Sequence, residues 1–261
     1  MGFLYTVLIV GGIGLLLGIV LSLASKFFAV EADEKVEALK ECLPGANCGA
    51  CGFSGCEGYA NALAGGEAAP NLCTVGGDEA SEKISEILGV KALKTLRKTA
   101  VIHCHHCSDK VVREFAYTGA ASCAAATLLY GGPLGCKQGC IGLGDCIKAC
   151  EYGALSIVDG NVVVDMSKCV ACGMCQKACP KGIISIEYAK LPCFVGCSNT
   201  EKGAVARKHC SAACIGCKKC EKVCPSDAIT VNNNLAVIDY EKCSGCGECE
   251  RNCPTHAILL K

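Results

Sequence analysis

The sequence predicts an α+β chain: a transmembrane helix first, a small four-cysteine domain second, and two tandem copies of one small module last. Three observations predict this. Residues 2–25 carry no charged side chain. Most of the 27 cysteines fall in short runs with two to four residues between neighbours. Nine of them recur 74 residues later without a gap. The expected boundaries are 1–26 for the anchor, 27–80 for the four-cysteine domain, 81–122 for a linker helix with a Cys/His segment, and 123–190 and 191–261 for the two copies.

About twenty apolar residues span a bilayer core, and the N-terminal run reaches that length before Lys26. A secretory leader would carry Lys or Arg ahead of a shorter apolar stretch, and none precedes this one. The run reads as a single-pass anchor in the cell membrane. Gly14 and Gly18 form a G-x-x-x-G pair with Gly11 nearby. That spacing lets another helix approach closely, although glycine is common in membrane helices generally. GGIGLLLG lies inside the apolar run, not at a strand–helix turn, so it is a poor dinucleotide fingerprint.

Charge is balanced, 25 basic residues against 25 acidic, so no nucleic-acid footprint stands out. So many cysteines would fit a disulfide-rich secreted protein. Their spacing argues otherwise, because thiols three residues apart gather metal more readily than they form unstrained disulfides. Thiolates of this kind must stay reduced, which points to a reducing compartment. Trp is absent, and much of the folding energy is expected from metal–thiolate bonds.

After the anchor, residues 31–41 are charged and read as a short helix or linker. Cys48, Cys51, Cys56 and Cys73 then stand at C-x2-C-x4-C-x16-C. Interleaved glycines let the backbone fold around a [4Fe–4S] cubane, with the fourth ligand returning after a helical stretch over 57–63. Zinc stays open here, because the ligand set alone does not choose the metal. Cys42 falls outside the pattern and reads as a spare thiol. Residues 81–99 read as an amphipathic linker helix interrupted near Gly89. Its Lys91, Lys94, Arg97 and Lys98 suit an anionic lipid surface or acidic partner, or form an ordinary solvated face.

The duplication pairs Cys123, Cys136, Cys140, Cys146, Cys150, Cys169, Cys172, Cys175 and Cys179 with Cys197, Cys210, Cys214, Cys220, Cys224, Cys243, Cys246, Cys249 and Cys253. Matching at so many positions marks two copies of one module. In each copy strand–turn–strand text joins the cysteine runs, turning at Asp159-Gly160 and across residues 232–234. The second copy contains C-x2-C-x2-C-x3-C-P twice. That is the bacterial-ferredoxin spacing, in which the fourth cysteine ligates the other cluster. Cys214, Cys217, Cys220 and Cys253 then hold one [4Fe–4S] cluster, and Cys243, Cys246, Cys249 and Cys224 hold its twin. In the first copy Cys169, Cys172, Cys175 and Cys150 form a complete set. The other set lacks one thiol, because Leu143 stands at the counterpart of Cys217. Either Cys136 joins Cys140, Cys146 and Cys179, which is the preferred reading, or that site holds a three-iron cluster.

Seven cysteines remain: Cys42, Cys104, Cys107, Cys123, Cys193, Cys197 and Cys210. Five clusters are thus expected, and a sixth can be drawn from Cys123, Cys197, Cys210 and one of Cys104 or Cys107. The competing reading is structural thiols, the usual fate of buried cysteine. His103, His105 and His106 flank Cys104 and offer imidazole ligands, a less common choice than thiolate.

With these motifs in place, the chain resembles the B subunits of Rnf (Rsx) electron-transport complexes. The residues carrying the resemblance are the apolar N-terminus, LPGANCGACGFSGC with Cys73, GCIGLGDC with its downstream cysteine run, KGAVARKHCSAACIGCKKC, and the closing ferredoxin motif. The resemblance implies a translocase component that takes electrons from soluble reduced ferredoxin and relays them to other membrane subunits. Such complexes couple electron flow between ferredoxin and NAD, or another acceptor, to Na+ or H+ transport. Oxygen-sensitive clusters and a cytosolic ferredoxin donor favour the cytoplasmic side for the iron–sulfur domains, a placement that Lys26 and Lys35 after the apolar run support weakly. No nucleophile–base constellation is legible, so no independent substrate chemistry is expected. A polyferredoxin serving another dehydrogenase or a redox sensor shares these motifs, and a metal-storage protein is the non-redox alternative.

Overall fold

The computed structural model describes residues 2–27, 34–105 and 110–260. Helix α1, Gly2–Phe27, is unbroken, about 39 Å long at 1.5 Å per residue. Its apolar side chains, among them Leu8, Val10, Leu15 and Leu21, are exposed. A Cβ added at Gly11, Gly14 or Gly18 would meet nothing within 4 Å. Among the described residues no helix is long and apolar enough to cross a membrane; the side chains of α1 are described without a break only over 7–23. The expectation of an anchor therefore rests on composition.

Three helices make the next unit: α2, Glu34–Glu41, α3, Cys56–Ala64, and α4, Gly77–Leu88. Each is too short to persist alone, and each offers one apolar stripe to a shared core of Leu39, Leu43, Tyr59, Leu63, Ala80 and Ile84. Tyr59 and Leu63 on α3, like Ala80 and Ile84 on α4, stand four apart and so share a face. The Tyr59 hydroxyl donates to the Ala69 carbonyl at 2.6 Å and accepts from the Leu72 amide at 3.2 Å. That clasp fixes the loop leading to Cys73.

The linker differs from its expected form. Helix α4 stops at Gly89, whose φ of 67° is left-handed and whose N–H closes on Glu86 and Ser85 carbonyls, the usual glycine cap. Residues 91–97 then run without helix, tied back by Ser81 Oγ to Leu93 O at 2.8 Å and by the Thr95 amide to Asp78 Oδ1 at 2.7 Å. The basic residues do not share one helical face. Arg97 donates to the Met166 carbonyl at 2.5 Å, and the Lys98 ammonium lies 5.4 Å from the centre of the Tyr188 ring.

Next comes a strand that helical periodicity hid, β1, Lys98–Ile102. It pairs antiparallel with β4, Ile184–Tyr188, with Ile102 opposite Ile184. Hairpin β2–β3, Leu155–Val158 and Asn161–Val164, turns through Asp159 and Gly160, both at positive φ. Two left-handed central residues make the turn that matches strand twist. The second copy repeats the plan. Its hairpin is β6–β7, Ile229–Asn232 and Leu235–Ile238, turning at Asn233 and Asn234, both at positive φ. Its other pair is β5, Cys193–Val195, with β8, Ile258–Leu260.

Short helices border the cysteine loops: α5, Cys123–Thr127; α6, Asp145–Lys148; α7, Met174–Ala178; α8, Gly203–His209; α9, Lys219–Val223; and α10, Glu248–Arg251. The starts of α6 and α9, α7 and α10, β2 and β6, β3 and β7, and β4 and β8 are each 74 residues apart. Each copy has its own small core. The first buries Ala100, Leu155, Val162, Ile183 and Ile184; the second buries Val195, Ile229, Ala236, Ile238 and Ile258.

Candidate iron–sulfur centres

The cysteine runs fold into loops because alternate positions take left-handed backbone. Gly142, Gly144, Ala171 and Gly173 in the first copy match Gly216, Lys218, Gly245 and Gly247 in the second, all at positive φ. Such alternation turns successive amides toward one point and makes an anion-binding nest. Ala171 and Lys218 adopt it with a side chain present, at a cost of about 1–2 kcal/mol each. In the four-cysteine unit Gly49, Gly52 and Gly55 also have positive φ. A Cβ on Gly55 would come within 2.8 Å of Asn47 Oδ1, which accepts the Cys56 amide at 2.9 Å.

The thiols gather in sets. In the four-cysteine unit Cys51, Cys56 and Cys73 pack on one core and act on one another electrostatically. Cys48 lies at its rim, close enough to Cys172 to act on it, and Lys177 Nζ donates to the Cys48 carbonyl at 2.9 Å. One cavity is lined by Cys123, Cys140, Cys146 and Cys179. Another is lined by Cys150, Cys169, Cys172 and Cys175, and a third by Cys214, Cys217, Cys220 and Cys253. Cys224, Cys243 and Cys249 pack together on the second copy's core; Cys246 lies on the same loop and is exposed. A further cavity has Cys104, Cys136, Cys197 and Cys210 in its wall.

Two of these placements differ from the expected grouping. Cys123, not Cys136, stands with Cys140, Cys146 and Cys179. The reason is local: Ser122 caps α5, and Asp145 Oδ2 accepts from Ser122 Oγ and the Ala124 amide, each at 2.9 Å. This ties the start of α5 to the start of α6, and Leu143 packs against the cluster of Cys123, Ala126 and Ile141. Cys136 lies instead in the further cavity, beside Cys104. Cys107 and His106 fall outside the described residues. His103 has both ring nitrogens engaged, by Val195 O and Ser185 Oγ at 2.8 Å each. His105 lines the further cavity, and burial holds its pKa low. Cys42, just past the end of α2, donates to the Ala38 carbonyl of that helix.

The donors fit iron–sulfur groups. Among the described residues no three His, Cys, Asp or Glu side chains close on a single metal ion; the thiols stand around cavities. Amides point at the sulfurs: Gly76 N–H to Cys73, Ala154 to Cys150, Ala228 to Cys224, and Ala257 to Cys253, at 3.3–3.4 Å. Ala100, on the expected linker, donates to Cys169 at 3.4 Å. Hydrogen bonds of this kind help set the potential of a thiolate-bound cluster. Burial pushes the thiol pKa of Cys146, Cys175 and Cys220 up to about 11. These groups hold protons at neutral pH, so iron must displace protons as it binds.

Comparison with known proteins agrees with this chemistry. A family described as "Putative Fe-S cluster" matches residues 43–75, and one described as "4Fe-4S dicluster domain" matches 138–183 and 213–257. The chain is 41% identical to the B subunit of the Na(+)-translocating ferredoxin:NAD(+) oxidoreductase complex of Acetobacterium woodii, covering 90% of this chain and 71% of that one. It is 44% identical to the B subunit of the proton-translocating ferredoxin:NAD(+) oxidoreductase complex of Clostridium ljungdahlii, over 87% and 81% of the two chains. With the B subunit of the ion-translocating oxidoreductase complex of Methanosarcina acetivorans it shares 38% identity over 91% and 90%. The chain belongs to the family of Rnf-complex B subunits. It is an iron–sulfur electron-transfer component of such a complex, and the thiols of its ferredoxin-type and four-cysteine sets lie where the two family descriptions match, except Cys123, which precedes the matched 138–183.

Sequence reasoning misses three contributors. Strand β1 hides inside apparent helical periodicity. Cys193 belongs to no spacing motif, yet its thiol donates to Cys249; that bond together with burial raises the pKa of Cys193, and the same bond lowers that of Cys249 against the opposing effect of burial. Asn199, 1% exposed, donates to Cys136 Sγ at 3.3 Å, and no spacing pattern signals a buried amide of that kind.

Proposed function

We propose that the chain takes electrons from soluble reduced ferredoxin at its C-terminal module and relays them toward α1, which anchors it among the membrane subunits of an Rnf-type complex. Those subunits use the electron flow to drive Na+ or H+ transport, and the iron–sulfur part faces the cytoplasm. Five thiol sets each hold a [4Fe–4S] cluster: Cys48, Cys51, Cys56 and Cys73; Cys123, Cys140, Cys146 and Cys179; Cys150, Cys169, Cys172 and Cys175; Cys214, Cys217, Cys220 and Cys253; and Cys224, Cys243, Cys246 and Cys249. When bound, each such group accepts and gives up one electron. The protein's part is to hold the sets in sequence, shield them from water and donate hydrogen bonds to their sulfurs.

The observation that carries this reading is the hydrogen bond from Lys177 Nζ, on α7 of the first module, to the Cys48 carbonyl at 2.9 Å. It puts the set nearest α1 directly against the first module. At the other end Cys217 and Cys246 are exposed, alone among the described cysteines. Lys218, Lys219 and Lys222 are exposed beside Cys217, a charge that suits an acidic redox protein.

Cys48→Ala tests the order. In complexes carrying it, ferredoxin still reduces the modules, while transfer to the membrane subunits is lost. Transfer at the normal rate would show that the path bypasses the four-cysteine unit. Extraction in mild detergent tests the assembly: co-purification with membrane subunits is expected, and a lone chain would favour a free polyferredoxin.

A further inference from the structure

The two modules meet at a cavity whose four cysteines lie outside the residues matched by either family description. Four stretches of chain close it. Beyond β1, the His103 amide donates to Ile183 O at 2.7 Å and the His105 amide to Gly196 O at 3.1 Å, stitching the first module to the second. Residues 110–114 then lace both sides together. Val112 N–H meets His209 O, Ser211 N–H meets Lys110 O, and Gly135 N–H meets Val112 O, at 2.8–3.0 Å. The result brings Cys104, Cys136, Cys197 and Cys210 to one wall, although the outermost are more than a hundred residues apart in sequence.

The donors around these thiols are arranged as they are in the ferredoxin sets. The Cys140 amide points at Cys104 Sγ at 3.3 Å. Cys197 Sγ receives two amides, from Cys214 at 3.3 Å and Asn199 at 3.4 Å. The Asn199 side chain donates to Cys136 Sγ at 3.3 Å. It is aimed by Glu201, whose amide meets Asn199 Oδ1 at 2.7 Å and whose carboxylate takes Nδ2 at 3.0 Å. A packed structural thiol is a weak acceptor and has no use for four directed N–H groups. A thiolate-bound cluster, negative overall, does.

We propose that Cys104, Cys136, Cys197 and Cys210 hold a sixth [4Fe–4S] cluster, which joins the two modules into one conducting path. This rests on the reading of the chain as an electron carrier. Two of its hydrogen bonds come from ligand residues of the flanking sets, Cys140 in the first module and Cys214 in the second. The site therefore abuts both. One electron arrives from one flanking set and one leaves to the other; no bond is made or broken and no proton moves.

The test uses the full chain in detergent, loaded with iron and sulfide under anaerobic conditions. Native mass spectrometry of the unmodified protein should show six clusters. Cys104→Ala and Cys197→Ala should each lose about one sixth of the iron and acid-labile sulfide, while Cys42→Ala loses none. Five clusters, or five with one zinc ion, would overturn the proposal yet leave the carrier reading intact. Absence of the clusters in the ferredoxin motifs would overturn the carrier reading itself. If the cysteine variants fail to fold, Asn199→Ala decides. It should keep the full iron content and move one component of an EPR redox titration to lower potential, and an unmoved titration would count against the site.

Discussion

The two 74-residue copies carry a cysteine at the same position, Cys123 and Cys197, and use it differently. In the second copy the strand β5, just before Cys197, pairs with β8, and Cys197 is carried to the junction between modules. In the first copy the matching edge, β4, is already taken by β1. The segment before Cys123 is displaced, α5 docks on Asp145, and the thiol reaches the Cys140 set. That set is the one where Leu143 stands in place of the second copy's Cys217. Which strand covers a sheet edge thus decides which group of thiols a repeated cysteine joins.

The largest effect expected from breaking this difference is at Cys123. Cys123→Ala should remove one cluster's iron and interrupt transfer between the modules. Adding Leu143→Cys, which restores the second copy's pattern, should return the iron. Quantifying iron and sulfide in the single and double variants checks both, and a double variant as depleted as the single would show that α5 does more than supply a ligand.

The exposed lysines beside Cys217 sharpen the contrast between an open and a covered module. Lys218→Glu with Lys219→Glu should slow reduction by ferredoxin about 10-fold or more at low salt, as for other steered encounters. The salt dependence should weaken in parallel, and stopped-flow mixing would show it. On the covered side, Lys177→Met removes one bond to the Cys48 carbonyl, worth about 1 kcal/mol. Iron content should stay constant, while transfer from the first module to the four-cysteine unit slows a few-fold, since small misplacements are costly to such steps.

The smallest effect is expected at Cys193. In the first copy Ala100 stands opposite Ile186, as Cys193 stands opposite Leu260 in the second. Cys193→Ala therefore makes the second copy resemble the first and deletes the thiol donor to Cys249. Iron content should not change. The potential of the Cys224, Cys243, Cys246 and Cys249 set should fall, because a hydrogen bond to ligand sulfur favours the more negative, reduced state. A redox titration against the unmodified chain measures this.

Much of the architecture was legible because its causes are local. Asp159-Gly160 and the asparagine run at 232–234 demand tight hairpins, and both form. Three thiols within seven residues, with left-handed positions between them, can face one point without help from the rest of the chain. Gly89 marked the end of α4 in the same way. What came after it was not legible, since residues 91–99 have no pattern that separates an extended return from a broken helix. The pairing of β1 with β4 settles that choice, and it spans almost ninety residues.

The amino-acid sequence by itself determined the number and spacing of the thiols, the duplication, the hairpin turns and the apolar N-terminal run, because each depends on neighbours along the chain. Tertiary structure alone decided that Cys123 joins Cys140, Cys146 and Cys179, that Lys177 of the first module holds the Cys48 carbonyl, and that Cys104, Cys136, Cys197 and Cys210 meet. Those contacts join strands far apart in sequence, and their geometry follows from which sheet edge is filled first. No spacing rule within a single run of cysteines encodes that.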